Sequence, residues 1–181
     1  MLTGGKSSRM GEDKALLPFR GGVLAGHVAA TVSAAAGSAV LIGNPQKYGH
    51  LGYLVVPDRR PGAGPAGGIE SALSYTIADW NLLVACDMPG ISAKFLRGLL
   101  DAAERLQADA LVPAGPSGRL DPLSAVYHRR CLDTLRGALE AGVRKVTDAL
   151  AGLEVARWAV DDRACFENLN TPEEWASYHG R

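Results

Sequence analysis

The sequence predicts an α/β fold in which a mostly parallel sheet lies between layers of helix. Three observations point there. The short β-branched runs are apolar throughout rather than alternating, as strands covered on both faces are. Segments of helical length separate most of these runs. The loops that leave them concentrate glycine, proline and carboxylates, and in such sheets ligands bind where loops leave the strand carboxyl ends. A length of 181 residues without repeat or linker fits one domain, 1–181, with room for a sizeable core.

The elements follow in order. Only Met1 and Leu2 precede the glycine-rich segment, so either the first strand is very short or residues before Met1 complete it; the second is expected, because a loop with no strand to anchor it would fray. Leu24 to Ala36 is rich in alanine and apolar on most faces, which predicts a buried helix. Ala39 to Ile42 reads as a buried strand ended by Gly43-Asn44-Pro45, and Tyr53 to Val56 as another, ended by Pro57-Asp58. A short helix is expected over Ile69 to Ile77, and a third strand over Leu82 to Cys86, ended by Asp87-Met88-Pro89. Ser92 suits the N-cap of a helix running through Leu106. Ala110 to Val112 and Ser124 to Tyr127 read as strands, and Cys131 to Ala141 and Arg144 to Leu150 as helices. A last strand over Val155 to Val160 and a helix opened by Pro172 complete the pattern.

Composition narrows the function classes. The net charge is zero, so the chain as a whole carries no basic field to draw nucleic acid or an acidic membrane. Cys86, Cys131 and Cys165 are odd in number and widely spaced, which argues against a disulfide framework or a zinc site and fits a reducing cytoplasm. No apolar run has membrane-spanning length, and no signal peptide stands before the glycines.

The chemistry concentrates in loops. Leu2 to Lys14 places Gly4, Gly5 and Gly11 among the cations Lys6, Arg9 and Lys14 and the hydroxyls of Ser7 and Ser8. Glycines let backbone N–H groups turn toward an anion, and the cations neutralise it, so this segment suits a triphosphate. Asp87, directly after a buried run, suits a Mg²⁺ ion held through oxygen with substrate phosphates completing its shell. Asp58 repeats that placement one strand earlier and suits either the metal or the nucleotide. Pro61 to Gly68 holds four glycines and two prolines in eight residues, a loop shaped for a flat ligand to approach the main chain. Arg119, with Asp121 before Pro122-Leu123, and Arg144-Lys145 are basic points for an anionic second substrate, although the latter pair reads more simply as a solvated helix start. The four histidines share no spacing for metal or triad chemistry, and Trp80, Trp158 and Trp175 read as packing residues.

Two nucleotide chemistries compete for the first segment. Gly5-Lys6-Ser7 is similar to the end of a P-loop, with Leu82 to Asp87 as its acidic strand. A P-loop requires a helix straight after the serine, whereas Gly11, Glu12-Asp13 and Pro18 follow here. The order and spacing of Leu2-Thr3-Gly4-Gly5-x-Ser7-x-Arg9-Met10-Gly11-x-x-Asp13-Lys14 instead resemble the signature of the nucleotidyltransferases, specifically the molybdenum cofactor guanylyltransferases. The resemblance continues through Val56-Pro57-Asp58, Gly64-Pro65-Ala66-Gly67-Gly68-Ile69, Cys86-Asp87-Met88-Pro89, Arg119-Leu120-Asp121-Pro122-Leu123 and Phe166-x-Asn168-x-Asn170-Thr171-Pro172. These blocks span nearly the whole chain in family order. The departures are Thr3 and Ala66, where the family usually has alanine and leucine.

The resemblance implies a three-layer Rossmann-like fold and transfer of GMP from GTP to a molybdopterin-type cofactor with Mg²⁺, releasing pyrophosphate. By position it implies that Arg9, Lys14 and Asp87 are catalytic, with Asp87 the metal ligand. Leu2, Thr3, Gly4, Gly5, Lys14, Asp58, Gly64, Pro65, Gly67 and Asp87 would bind the nucleotide, with Gly64 to Gly67 along the guanine. Arg119, Asn168 and Asn170 would meet the second substrate. Relatives that use CTP usually carry Ala-Ala-Gly at Thr3-Gly4-Gly5 and acidic residues at Asn168 and Asn170, so this chain's residues favour GTP. Protein partners would be a molybdenum-insertion protein or a molybdoenzyme. A sugar-1-phosphate nucleotidyltransferase is expected to be longer, and a catalytically silent binding domain would not need Arg9, Lys14 and Asp87 together.

Overall fold

The computed structural model describes residues 1–3, 13–161, 169 and 172–179. Of the predicted site residues, Gly4, Gly5, Arg9, Asn168 and Asn170 lie outside the described residues, as do Cys165 and Phe166.

The elements in chain order are β1 (Pro18–Phe19), β2 (Gly22–Val23), α1 (Leu24–Ala36), β3 (Val40–Ile42), α2 (Pro45–Tyr48), β4 (Leu54–Val56), α3 (Gly64–Tyr75), β5 (Trp80–Val84) and α4 (Ala93–Ala103). They continue with β6 (Ala110–Ala114), β7 (Ser124–His128), α5 (Cys131–Glu140), α6 (Val146–Ala149), β8 (Val155–Ala159) and α7 (Pro172–His179). β1 and β2 form a hairpin that the sequence reading omitted. Its turn residues Arg20 and Gly21 both have positive φ, at 47° and 80°, as a two-residue hairpin turn requires.

β3 pairs in parallel with β4, while β5, β7, β6 and β8 form a second ladder in that order. Leu2 bridges the two ladders, parallel to Ile42 on one side and to Ala85 on the other. Leu2 donates to Val84 O at 2.8 Å and accepts from Cys86 at 3.0 Å, while Ile42 donates to Met1 O at 2.8 Å and Thr3 to Ile42 O at 3.1 Å. Residues 1–3 therefore act as a very short central strand, held on both edges.

Every strand of this joined sheet runs the same way except β7, which is antiparallel to both β5 and β6. The mostly parallel expectation holds. Apolar continuity did not distinguish β7, because its first four residues are buried just as a parallel strand's would be.

Alternation along the strands builds three layers. Ile42, Leu83, Ala110, Val112, Ala125 and Tyr127 join one core with α3, α5 and α6. Leu41 and Val84 face the other way, with α1 and Leu96 of α4. Leu111 and Val126 extend that second face under Leu99 and Ala103. On the same side Phe19 of the hairpin receives α7, with ring centroids 5.9 Å from both Trp175 and Tyr178.

Some boundaries differ from expectation. α3 starts at Gly64 rather than Ile69, because Pro65 is pre-set for a helix's first turn and Gly67 and Gly68 sit where larger residues would collide. Pro61 to Gly68 is thus a short loop and a helix start rather than one loop. β5 begins at Trp80, since Trp80 and Asn81 find partners in His128 and Tyr127. Arg144-Lys145 precede α6 rather than opening it, and the helix gives way to a 3₁₀ turn at Leu150.

Candidate functional site

The carboxyl ends of β3, β4 and β5 open on one side of the sheet, where residues 1–3 also end. The antiparallel β7 begins on that same side, because Ser124 pairs with Val84 at the end of β5. Thr3, Asp58, Asp87 and the turn before β7 are thereby gathered at one edge by topology alone.

Asp87 follows β5 by three residues. Its Oδ1 is buried and has no hydrogen-bond partner among the described residues. Burial pushes the Asp87 carboxyl above the usual range; the Lys14 charge and a backbone hydrogen bond pull it down, and the Asp121 charge adds to the rise. Burial likewise raises Asp121, opposed by hydrogen bonds that include the Leu123 N–H at 3.2 Å and by the Arg119 charge. Asp121 is held in place where its N–H donates to Pro113 O at 2.9 Å and its carbonyl accepts from Ser124 at 3.3 Å. Beside Asp87, burial drives the Cys86 thiol up to about 12, so it is no nucleophile near neutral pH.

Lys14 opens a 3₁₀ turn over Lys14–Leu16. Asp13 caps that turn, its Oδ1 accepting from the Ala15 N–H at 3.2 Å. The Asp13 Oδ2 accepts from the Tyr48 hydroxyl at 2.8 Å and from Lys47 Nζ at 3.2 Å. The same Tyr48 hydroxyl lies 3.1 Å from Thr3 O, and the Thr3 hydroxyl donates to Ile42 O at 2.8 Å. Gly43 makes this possible, because a Cβ there would collide with the Thr3 hydroxyl and meet the Tyr48 ring at 2.9 Å. Leu2 has its backbone in the sheet and its side chain in the core, within 3.2 Å of where a Cβ on Gly68 would stand.

Asp58 is tied to α3. Its Oδ1 accepts from the Arg60 N–H and from the Ser71 hydroxyl, both at 2.9 Å, and Ser71 Oγ in turn accepts from the Arg59 N–H at 2.9 Å. Gly64 and Pro65 are exposed at the start of α3, whereas Gly67 is buried inside it, one turn on. A cavity of about 290 Å³ opens beside this helix start, lined by Arg60, Pro61, Gly62, Ala63, Leu139 and Arg144. Arg144, exposed as expected and standing before α6, is one of the residues that line this concavity. Beneath it, the buried Glu70 of α3 pairs with Arg136 at 3.1 Å and stands 3.9 Å from Arg60.

The topology thus brings Thr3, Asp58 and Asp87 to one edge, with the start of α3 alongside, while the Lys14 charge acts on Asp87 and the Arg119 charge on Asp121. Sequence reading noted Asp121 without giving it a role, because only the antiparallel pairing of β7 puts the start of that strand on this edge. Tyr48 gave none, being a lone aromatic on a one-turn helix.

The geometry is a pair of half-buried carboxylates, Asp87 and Asp121, within the field of a lysine on a capped turn, at the carboxyl edge of a mostly parallel sheet. Residues 1–155 match the family model described as a MobA-like NTP transferase domain. The chain belongs to that family. It is 34% identical over 181 residues to a probable molybdenum cofactor guanylyltransferase of Deinococcus radiodurans, covering 100% of this chain and 93% of that one. It is also 34% identical to the similarly named protein of Pelotomaculum thermopropionicum, over 96% of this chain and 87% of the relative. Among solved structures, molybdopterin-guanine dinucleotide biosynthesis protein A of Archaeoglobus fulgidus superposes with a TM-score of 0.85 at 26% identity, covering 97% of this chain and 93% of that one. A CMP:2-keto-3-deoxy-manno-octonic acid synthetase shares the fold at a TM-score of 0.79 and 14% identity, over 99% of this chain and 94% of the other. As a MobA-like transferase the chain is a nucleotidyltransferase with the Rossmann-like fold, and its family ties it to molybdenum cofactor biosynthesis.

Proposed function

We propose that this MobA-like protein transfers GMP from GTP to a molybdopterin-type cofactor in a Mg²⁺-dependent reaction that releases pyrophosphate. The observation that carries the reading is the buried, unpartnered Oδ1 of Asp87 beside the charges of Lys14 and Asp121. A carboxylate with one oxygen left without a donor at a half-buried edge fits a hard cation, and one or two carboxylates plus substrate phosphates are the usual Mg²⁺ set. Asp87 would hold the ion, with Asp121 the second acidic group within its field. Once bound, the ion would neutralise charge on the phosphate oxygens and draw α-phosphate and leaving group into line.

The chain's own part is positioning and charge. The reacting oxygen is a terminal phosphate oxygen of the acceptor. It forms a bond to the α-phosphorus of GTP as the bond from that phosphorus to the β-phosphate's bridging oxygen breaks. A phosphate monoester with a second pKa of about 6 is already dianionic near neutral pH, so no side chain has to take a proton from it. Lys14 would neutralise charge growing on the departing pyrophosphate, and Arg9 would join it. Asp58, held from α3, would meet the nucleoside; Gly64 and Pro65, exposed at the start of α3, would allow the base close to the main chain, with Gly67 packed behind them. Arg119, Asn168 and Asn170 would receive the acceptor. The GTP preference is supported by the names of the relatives and by Asn168 and Asn170 in the sequence. The unpaired thiols of Cys86 and Cys131 support a reducing cytoplasm, and no helix among the described residues is long and apolar enough to cross a membrane.

The test begins with equilibrium binding of GTP, CTP, ATP and UTP, each with and without Mg²⁺, followed by turnover with molybdopterin. GTP is expected to bind best, and only well with Mg²⁺; a CTP preference would move the assignment to cytidylyl transfer. Asp87→Ala should remain folded while turnover falls by about 10²–10³-fold or more. Normal Mg²⁺-dependent turnover in that variant would overturn the assignment.

A further inference from the structure

We propose that Tyr48 is a positioning residue for the triphosphate. Its hydroxyl fastens Thr3 and Asp13 to one point and so fixes the turn that carries Lys14. The two residues flank positions 4–12, yet a single buried oxygen lies 3.1 Å from the carbonyl of one and 2.8 Å from the carboxylate of the other. The hydroxyl has one proton, shared unequally, and the shorter, charge-assisted contact to Asp13 is the stronger. Asp13 uses its other oxygen to cap the turn at Ala15. Fixing Asp13 therefore fixes the backbone from which the Lys14 side chain departs, and the Lys14 charge is felt at Asp87.

Tyr48 is itself well anchored. It is 4% exposed, it ends α2, and its ring packs where Gly43 leaves space. Burial and the Asp13 carboxylate both raise its phenol pKa, so the hydroxyl stays protonated and remains a donor. Lys47, next to it on α2, adds a second contact to the same carboxylate, but from a side chain 55% exposed, where the pair is worth little. The hydroxyl is thus the buried fastening. Without it Asp13 would keep the cap but lose its fixed direction, and Lys14 would have to be ordered by the ligand at an entropic cost.

The inference rests on the reading of Lys14 as a phosphate contact, and its test separates the two. Tyr48→Phe keeps the ring and removes only the hydroxyl. With Mg²⁺ present, GTP affinity is expected to fall by about tenfold in this variant. GMP, which lacks the phosphates Lys14 would reach, should bind within about twofold of the parent. Asp13→Asn should shift the triphosphate-to-monophosphate ratio in the same direction, and it serves as the test if Tyr48→Phe does not fold. In a Lys14→Ala background, Tyr48→Phe should add nothing further. Equal weakening of both nucleotides, no weakening, or a full effect without Lys14 would each overturn the proposal. Base preference reports separately on the guanylyl reading: if another nucleotide binds best, the same ratio is measured with that base.

Discussion

Asp87 carries two properties that conflict in the protein without ligands. It is an acid at the edge of the sheet, and one of its oxygens is buried without a donor. A site suited to a cation is in this way a source of instability until the cation arrives. The sign follows from proton binding. Asp87 has a folded pKa above its ordinary value near 3.8, so in the window between the two the folded state holds more protons than the unfolded state. Stability therefore falls as pH rises through that window, and the penalty is complete above it. Asp87→Asn removes the charge and keeps the shape. Near neutral pH, without nucleotide or metal, this variant should be more stable than the parent by about 1–3 kcal/mol. The advantage should shrink as pH falls toward about 4, which urea denaturation at several pH values would show. An Asp87→Asn variant less stable than the parent at neutral pH would mean that the Lys14 charge and the backbone hydrogen bond more than offset the burial of the carboxylate.

At the scale of elements, glycine decides where α3 can begin. A Cβ on Gly67 would stand 2.8 Å from the Ala63 Cβ and 3.3 Å from Arg60 O, whereas at Gly98 in α4 it would meet nothing within 4 Å. The same substitution should thus act in opposite directions. Gly67→Ala is expected to cost about 1–3 kcal/mol by overpacking. Gly98→Ala should add about 0.5–1 kcal/mol by lowering unfolded-state freedom within a helix. Denaturant midpoints for the pair check both signs, with Gly98 as the control for helix propensity.

These glycines also explain what the sequence could and could not disclose. Runs such as Ala39 to Ile42 and Tyr53 to Val56 were legible, because β-branched residues between turn formers leave few alternatives. Gly64 to Gly68 looked like a loop, since composition cannot reveal that Leu2 and Ala63 press against those positions from distant or preceding chain. The β1–β2 hairpin was hidden for a related reason: its turn is Arg20-Gly21 rather than an asparagine–glycine pair. At the site, Asp87 and Asp58 could be read from their place after buried runs. Asp121 could not, because its value depends on β7 running against its neighbours, and a buried strand of either direction has the same composition.

Across the whole molecule, the edge where Thr3, Lys14, Asp58 and Asp87 meet draws on β3, β4, β5 and the start of β7, so a ligand bound there holds distant parts of the chain together. Binding to the folded state alone raises stability by about 2.7 kcal/mol at a ligand concentration of 100 Kd. For a chain of this size that corresponds to a rise of about 5–11 °C in the midpoint of thermal unfolding. Mg²⁺ with GTP should produce such a rise in the parent. Asp87→Ala should show less than half of it, which differential scanning calorimetry would read directly. An equal rise in both proteins would remove Asp87 from the metal's coordination.

The three-residue strand at 1–3 has a consequence for the order in which the chain is made. Among the described residues, it alone joins the β3–β4 ladder to the β5–β7–β6–β8 ladder by main-chain hydrogen bonds. Yet Leu2 lies N-terminal to every partner it takes, and its last bond comes from Cys86. During translation its β3 edge can pair once Ile42 has emerged, but its β5 edge must stay open until the stretch through Cys86 has left the ribosome. Helix α1 and the β3–β4 ladder can assemble from what has already emerged. The middle of the sheet is therefore closed late by residues synthesised early, and a nascent chain stalled before Val84 would leave the outer edge of that short strand exposed.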